Sequence, residues 1–150
     1  MWSHIAVHVA HRLLFPILYD VIEKDEFVLD DLEPLMALLK QSLAIASTDD
    51  LSTNYSLLKQ LFLKLFTLRT THTKKVRFRR APTKQSSLFL QMSPSKLSVY
   101  EDYVFDCFSE LVIRLSEETF RPLFYTIYEW AVYNEPPPEY TLTFYRLTFM

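Results

Sequence analysis

Glycine is absent from this sequence of 150 residues, where average usage would supply about ten. Phosphate-cradling P-loops, dinucleotide fingerprints and nucleophile elbows all depend on glycine backbone freedom, so the absence argues against each of them. Glycine-dependent hairpin turns are missing as well, which weighs against an all-β fold. The one cysteine, Cys107, excludes an internal disulfide and any cysteine-based zinc cluster. No run of about 18 apolar residues occurs, so no membrane-spanning helix is expected. The N-terminal apolar stretch lacks a basic leader and is interrupted by His4, His8, His11 and Arg12. It is expected to be a helix and not a signal peptide.

Acids are lacking in one region only. Residues 51–100 hold no Asp or Glu but ten of the sixteen Lys and Arg residues. The middle third therefore carries +10 and the two flanks together −12, inside a net charge of −2. Such segregation points to an acidic partner for the middle, nucleic acid or protein, or to neutralisation of the middle by the flanks. Apolar residues make up 49% and charged residues 23% of the chain, the balance of a folded protein with a buried core.

Apolar spacing organises the remainder into helices. Ile5, Val9, Leu13, Ile17 and Val21 recur at helical intervals, with Leu14, Leu18 and Ile22 widening the stripe. Pro16 is expected to kink or divide this stretch. Asp30 or Asp31 caps a second helix with Pro34 in its first turn and Leu32, Leu35, Leu39, Leu43 and Ala46 on its buried face. Asp49, Asp50 and Ser52 supply a turn and a new cap. A third helix follows from about Thr53 to Arg69 on Leu58, Leu61, Leu65 and Leu68.

Residues 70–96 lose periodicity and become basic, hydroxyl-rich and proline-punctuated, the pattern of a long flexible insertion. Ser98 and Glu101 then form a candidate capping box for a helix buried through Tyr100, Val104, Phe108, Leu111 and Leu115. After a break at Ser116–Thr119, a fifth helix carries Phe120, Leu123, Phe124, Ile127, Tyr128 and Ala131. Pro136, Pro137 and Pro138 end it, and Tyr140–Met150 resembles the opening turns of another helix. The expected fold is all-α: one domain over 1–150 of stacked helical hairpins, a HEAT-like α-solenoid fragment with a long basic loop.

The stretch Leu115-Ser-Glu-Glu-Thr-Phe-Arg-Pro-Leu-Phe-Tyr-Thr-Ile-Tyr-Glu-Trp-Ala131 carries a family resemblance. Phe120, Arg121, Pro122, Leu123 and Phe124, followed by Trp130, are its most specific part, and Leu142-Thr-Phe-Tyr-Arg146 resembles the next block. The pattern is similar to the C-terminal domain of the HEAT repeat-containing protein 1 family, small nucleolar RNA-associated factors of the small-subunit processome. That resemblance implies a non-catalytic scaffold in the nucleolus, active in pre-ribosomal RNA transcription and processing toward the small-subunit RNA. Implied partners are small-subunit processome proteins and pre-ribosomal or small nucleolar RNA, with no membrane, cofactor or small-molecule substrate. Family members are far longer, so the chain is expected to be a fragment or a divergent short form. A free hydrophobic end is expected at Tyr140–Met150.

Several residues invite a sharper reading. Lys74-Lys75-Val76-Arg77 fits a nuclear import signal, extended by Arg79, Arg80 and Lys84. The same cations could neutralise RNA phosphates with Phe78 as a stacking face, or could be a solvated loop. Arg121 is expected to pair with Glu117 or Glu118, or to cap a neighbouring helix. Phe124 and Trp130 are expected to lock adjacent hairpins, with partner binding as the alternative. His4, His8 and His11 stand at helical spacing, suited to a metal site or, more simply, to a polar helix edge. Cys107 with His72 as its base would make a nucleophile, but its place on an apolar stripe suits a small buried hydrophobe better. Two broader alternatives remain, a general helical interaction module and an RNA-binding protein acting through the basic loop.

Overall fold

The computed structural model describes residues 11–23, 31–67, 70, 94–133 and 135–149. Among these residues there are seven helices and no strand. They are α1 (His11–Glu23), α2 (Leu32–Ile45), α3 (Thr48–Thr53), α4 (Tyr55–Phe66), α5 (Pro94–Val112), α6 (Glu117–Val132) and α7 (Pro138–Thr148). The all-helical, repeat-like fold agrees with the sequence.

The packing order is less sequential than a plain ladder of hairpins. α2 lies along α5 and α1 along α4, the two most extensive contacts, and α6 packs on its sequence neighbour α7. A single apolar core runs through all of them. Phe15, Ile22, Leu39, Leu43, Leu58, Leu61, Phe62 and Phe105 are almost fully buried within it. Within it Phe108 meets Phe62 and Phe66 edge-to-face, at 5.2 Å and 5.3 Å. Edge-to-face contact suits rings whose faces are negative and whose edges are positive.

Several local expectations change. In α1 the buried side chains are Leu14, Phe15, Leu18 and Ile22, whereas Leu13 and Ile17 are exposed. The stripe is therefore rotated by one residue from the Leu13–Ile17–Val21 series. Pro16 does not divide α1, which continues through it to Glu23; proline removes one helical hydrogen bond but keeps a helical φ. The short helix α3 was not marked by periodicity. It is capped by Ser47, whose hydroxyl accepts from the Asp50 backbone N–H while the Asp50 carboxylate accepts from the Ser47 N–H. That reciprocal box starts the turn earlier than the Asp49–Ser52 cluster implies. Asp31 precedes α2 but makes no side-chain cap hydrogen bond.

The largest correction concerns α5. It starts at Pro94, so residues 94–96 belong to a helix and Ser98 lies inside it instead of capping it. Proline is favoured in a first helical turn because no intrahelical N–H is needed there. Glu101 consequently turns away from any capping role and into the protein, where it is 3% exposed. Residues 71–93, most of the expected basic insertion, lie outside the described residues.

Candidate functional site

The candidate signature occupies α6. Ser116 caps it, its hydroxyl accepting from the Thr119 N–H at 3.3 Å, and Glu117 and Glu118 place negative charge at its positive end. Pro122 sits within the second turn, where Thr126 returns a hydroxyl hydrogen bond to its carbonyl at 2.9 Å. Leu123, Ile127 and Ala131 form the buried face, and Arg121, Pro122 and Phe124 point outward. Phe120 is half-buried, its ring 6.1 Å from that of Phe124.

Three contacts fasten α6 and α7 to the rest of the protein. The Tyr55 hydroxyl on α4 donates to the Thr119 carbonyl at 3.1 Å, and burial raises the Tyr55 pKa. Trp130 is half-buried between the Phe66 ring at 6.0 Å and the Tyr140 ring, on which it stacks at 4.3 Å. Arg146 on α7 reaches both Glu101 and Asp102 on α5, donating to Asp102 at 2.8 Å, and lies over the Phe105 ring. Thr141 adds a hydrogen bond from its hydroxyl to the Ala131 carbonyl at 2.9 Å, tying α7 back to α6.

Of the two acids expected to receive Arg121, Glu117 does so, with Nη2 2.5 Å from Oε1. Both groups are mostly in solvent, where such pairs contribute little. Phe124 touches Phe120, Tyr125 and Phe144 rings and remains partly exposed. An apolar groove of about 560 Å³ opens beside it, between the end of α5, the start of α6 and α7. Its walls include Val112, Phe120, Phe124, Phe144 and Leu147. Leu142 and Tyr145 on α7, and Phe149 just after it, are also exposed.

The remaining candidates fall elsewhere. Lys74, Lys75, Arg77, Arg79, Arg80 and Lys84 lie outside the described residues, as do His4, His8 and His72. Among the described residues no cluster of His, Cys, Asp and Glu is placed to hold a metal, and no helix is long and apolar enough to cross a membrane. Cys107 is fully buried in the core. Burial, with Asp106 nearby, pushes its thiol far above the ordinary range, although Lys40 opposes the shift. A thiol held protonated in this way is a packing group and a poor nucleophile. Sequence reasoning missed the Glu101–Arg146 contact, because nothing in the local pattern links residues so distant in the chain.

The domain model that matches this chain covers residues 50–150, from α3 to α7. The chain belongs to the BP28CT (NUC211) domain family. Within it, the sequence is similar to HEAT repeat-containing protein 1 of Homo sapiens, 27% identical over 146 residues, covering 95% of this chain and 6% of that protein. It is 27% identical to the Macaca fascicularis protein of the same name, covering 95% of this chain and 13% of that one. The Danio rerio protein is 31% identical over 116 residues, 77% of this chain and 5% of its own length. The chain thus spans a small part of the relatives it matches. No solved structure matches it.

Proposed function

We propose that this BP28CT domain is a non-catalytic helical scaffold of nucleolar ribosome biogenesis. In that role it supports assembly of the small-subunit processome and the transcription and processing of the RNA that yields 18S ribosomal RNA. The observation that carries the reading is the family match across residues 50–150.

Residues Lys74, Lys75, Arg77, Arg79, Arg80 and Lys84 deliver the domain to the nucleus, with Lys74-Lys75-Val76-Arg77 as the import signal. Phe120–Phe124 and Trp130 serve a structural purpose, holding α6 and α7 in place so that their outer faces are presented to processome proteins. A second reading, direct contact of the same cations with pre-ribosomal or small nucleolar RNA, is favoured by the acid-free stretch of residues 51–100.

Affinity purification of the tagged chain from nuclear extract, with and without nuclease, tests both. Recovery of small-subunit processome proteins that survives nuclease supports the scaffold. Recovery lost on nuclease treatment moves the contact to RNA. Recovery of chaperones and cytosolic proteins alone contradicts both.

A further inference from the structure

Among the described residues, the C-terminal helices carry a charge imbalance that ion pairs leave uncorrected. Every cation from Arg114 onward is engaged within the protein: Arg114 with Glu110, Arg121 with Glu117, and Arg146 with Glu101 and Asp102. Glu118, Glu129, Glu135 and Glu139 have no counter-charge among the described residues. The same two helices carry a chain of aromatic rings linked through Phe144. Phe124 is 6.0 Å from it, Tyr128 5.8 Å and Tyr145 6.4 Å, and Tyr125 adjoins Phe124 at 6.2 Å. Tyr125 and Tyr145 are each more than half exposed. On α6, Glu118, Tyr125, Glu129 and Val132 fall at positions i, i+7, i+11 and i+14, so acids and aromatic alternate along one outward face.

From this arrangement we infer that the outer face of α6 and α7 docks a cationic polypeptide segment in which arginine is interspersed with aliphatic residues. The inference rests on the scaffold reading and names the chemistry of the partner. Tyrosine ring faces attract guanidinium groups, and the residues that dominate the energy of protein interfaces are enriched in Tyr and Arg. The protein already uses this chemistry internally, where the Arg146 guanidinium sits 5.5 Å from the centre of the Phe105 ring. Glutamates with no counter-charge among the described residues steer cations toward the face and repel phosphate, so this surface opposes nucleic acid. Phe124 and Phe144 belong both to the linked rings and to the neighbouring groove, which accepts the aliphatic side chains of the same segment.

Fluorescence anisotropy of a short labelled peptide alternating Arg and Leu, titrated with the full chain, tests the inference. A peptide alternating Glu and Leu and a single-stranded RNA serve as comparison probes. The Arg–Leu peptide binds and the Glu–Leu peptide does not. The double variant Tyr125→Ser with Tyr145→Ser weakens binding about tenfold, from the loss of two ring contacts. Glu118→Gln with Glu129→Gln weakens it and flattens its salt dependence. Both variants change exposed side chains, and unchanged thermal melts establish that they fold.

Parent-like affinity in both folded variants overturns the proposal, as does equal binding of the Glu–Leu peptide. RNA that competes in the parent but not in the tyrosine variant also overturns it. So does stronger peptide binding after neutralisation of Lys74, Lys75, Arg77, Arg79 and Arg80, because the occupant is then the chain's own basic stretch. The readout is independent of cellular location, so failure of the nucleolar reading and failure of this one are distinguishable.

Discussion

Glu101 and Arg146, 45 residues apart, form an ion pair that joins α5 to α7. The Glu101 side chain is 4% exposed and that of Arg146 27%, so the charges meet largely out of water. Thr143 on α7 brings its hydroxyl to 3.5 Å from the Glu101 carboxylate, and Arg146 also donates to Asp102. A buried carboxylate stripped of its cation is costly, whereas removing both charges is far less so. Arg146→Met is therefore expected to destabilise the protein by about 3 kcal/mol, and Arg146→Met with Glu101→Gln by clearly less. Chemical denaturation of both single variants and the double measures the coupling. Strictly additive losses would contradict the role assigned to the pair.

Trp130 connects three elements, with Phe66 of α4 on one side and Tyr140 of α7 on the other. Trp130→Ala is expected to cost about 3 kcal/mol by removing a large, half-buried ring. A cycle with Tyr140→Ala should give a coupling of about 1 kcal/mol, the increment expected of a stacked pair. Zero coupling would contradict a stabilising stack between Trp130 and Tyr140.

Alkaline pH should unfold the protein through groups that the fold keeps neutral. The Cys107 thiol is raised from an ordinary value of 9.0, chiefly by burial, and the Tyr55 hydroxyl from 10.0, also by burial. In both cases the folded state holds its proton to higher pH than the unfolded chain. Their contribution is complete below the unfolded values and is lost as pH rises toward the folded ones. Stability should fall above pH 9, by about 1.4 kcal/mol per pH unit for the thiol alone. In Cys107→Ala the decline should begin only near pH 10, where Tyr55 takes over. Urea denaturation across this range checks the slope, and an unaltered slope in Cys107→Ala would contradict the assignment.

Glu135 has a φ of +50° in the link between α6 and α7. A side chain with a Cβ pays about 1 kcal/mol in this region, and the chain contains no glycine to occupy it. Glu135→Gly is expected to leave stability unchanged or raise it by up to about 1 kcal/mol, whereas Glu135→Val should lower it. Thermal melts of the two variants decide the point.

Much of the helical framework was legible because apolar spacing is dictated by burial. Leu39 and Leu43 in α2, Leu58, Leu61 and Leu65 in α4, and Leu123, Ile127 and Ala131 in α6 all lie on buried faces. Periodicity fails where two adjacent stripes are both apolar. Leu13 and Ile17 repeat at the same interval as Leu14 and Leu18, and packing against α4, α2 and α3 selects the second series. Ser98 and Glu101 failed for a different reason. A Ser–Glu pair three apart is common inside helices too, and the partner that claims Glu101 arrives only with α7. The signature in α6 exposed the family, but its spacing could not say that Arg121 and Phe124 face outward.

Location in the cell tests the central claim most directly. Imaging of the fluorescently tagged chain should show it concentrated in nucleoli. Neutralising Lys74, Lys75, Arg77, Arg79 and Arg80 should leave it outside the nucleus. A parent chain spread through the cytoplasm and absent from nucleoli would contradict the proposal of a ribosome-biogenesis scaffold.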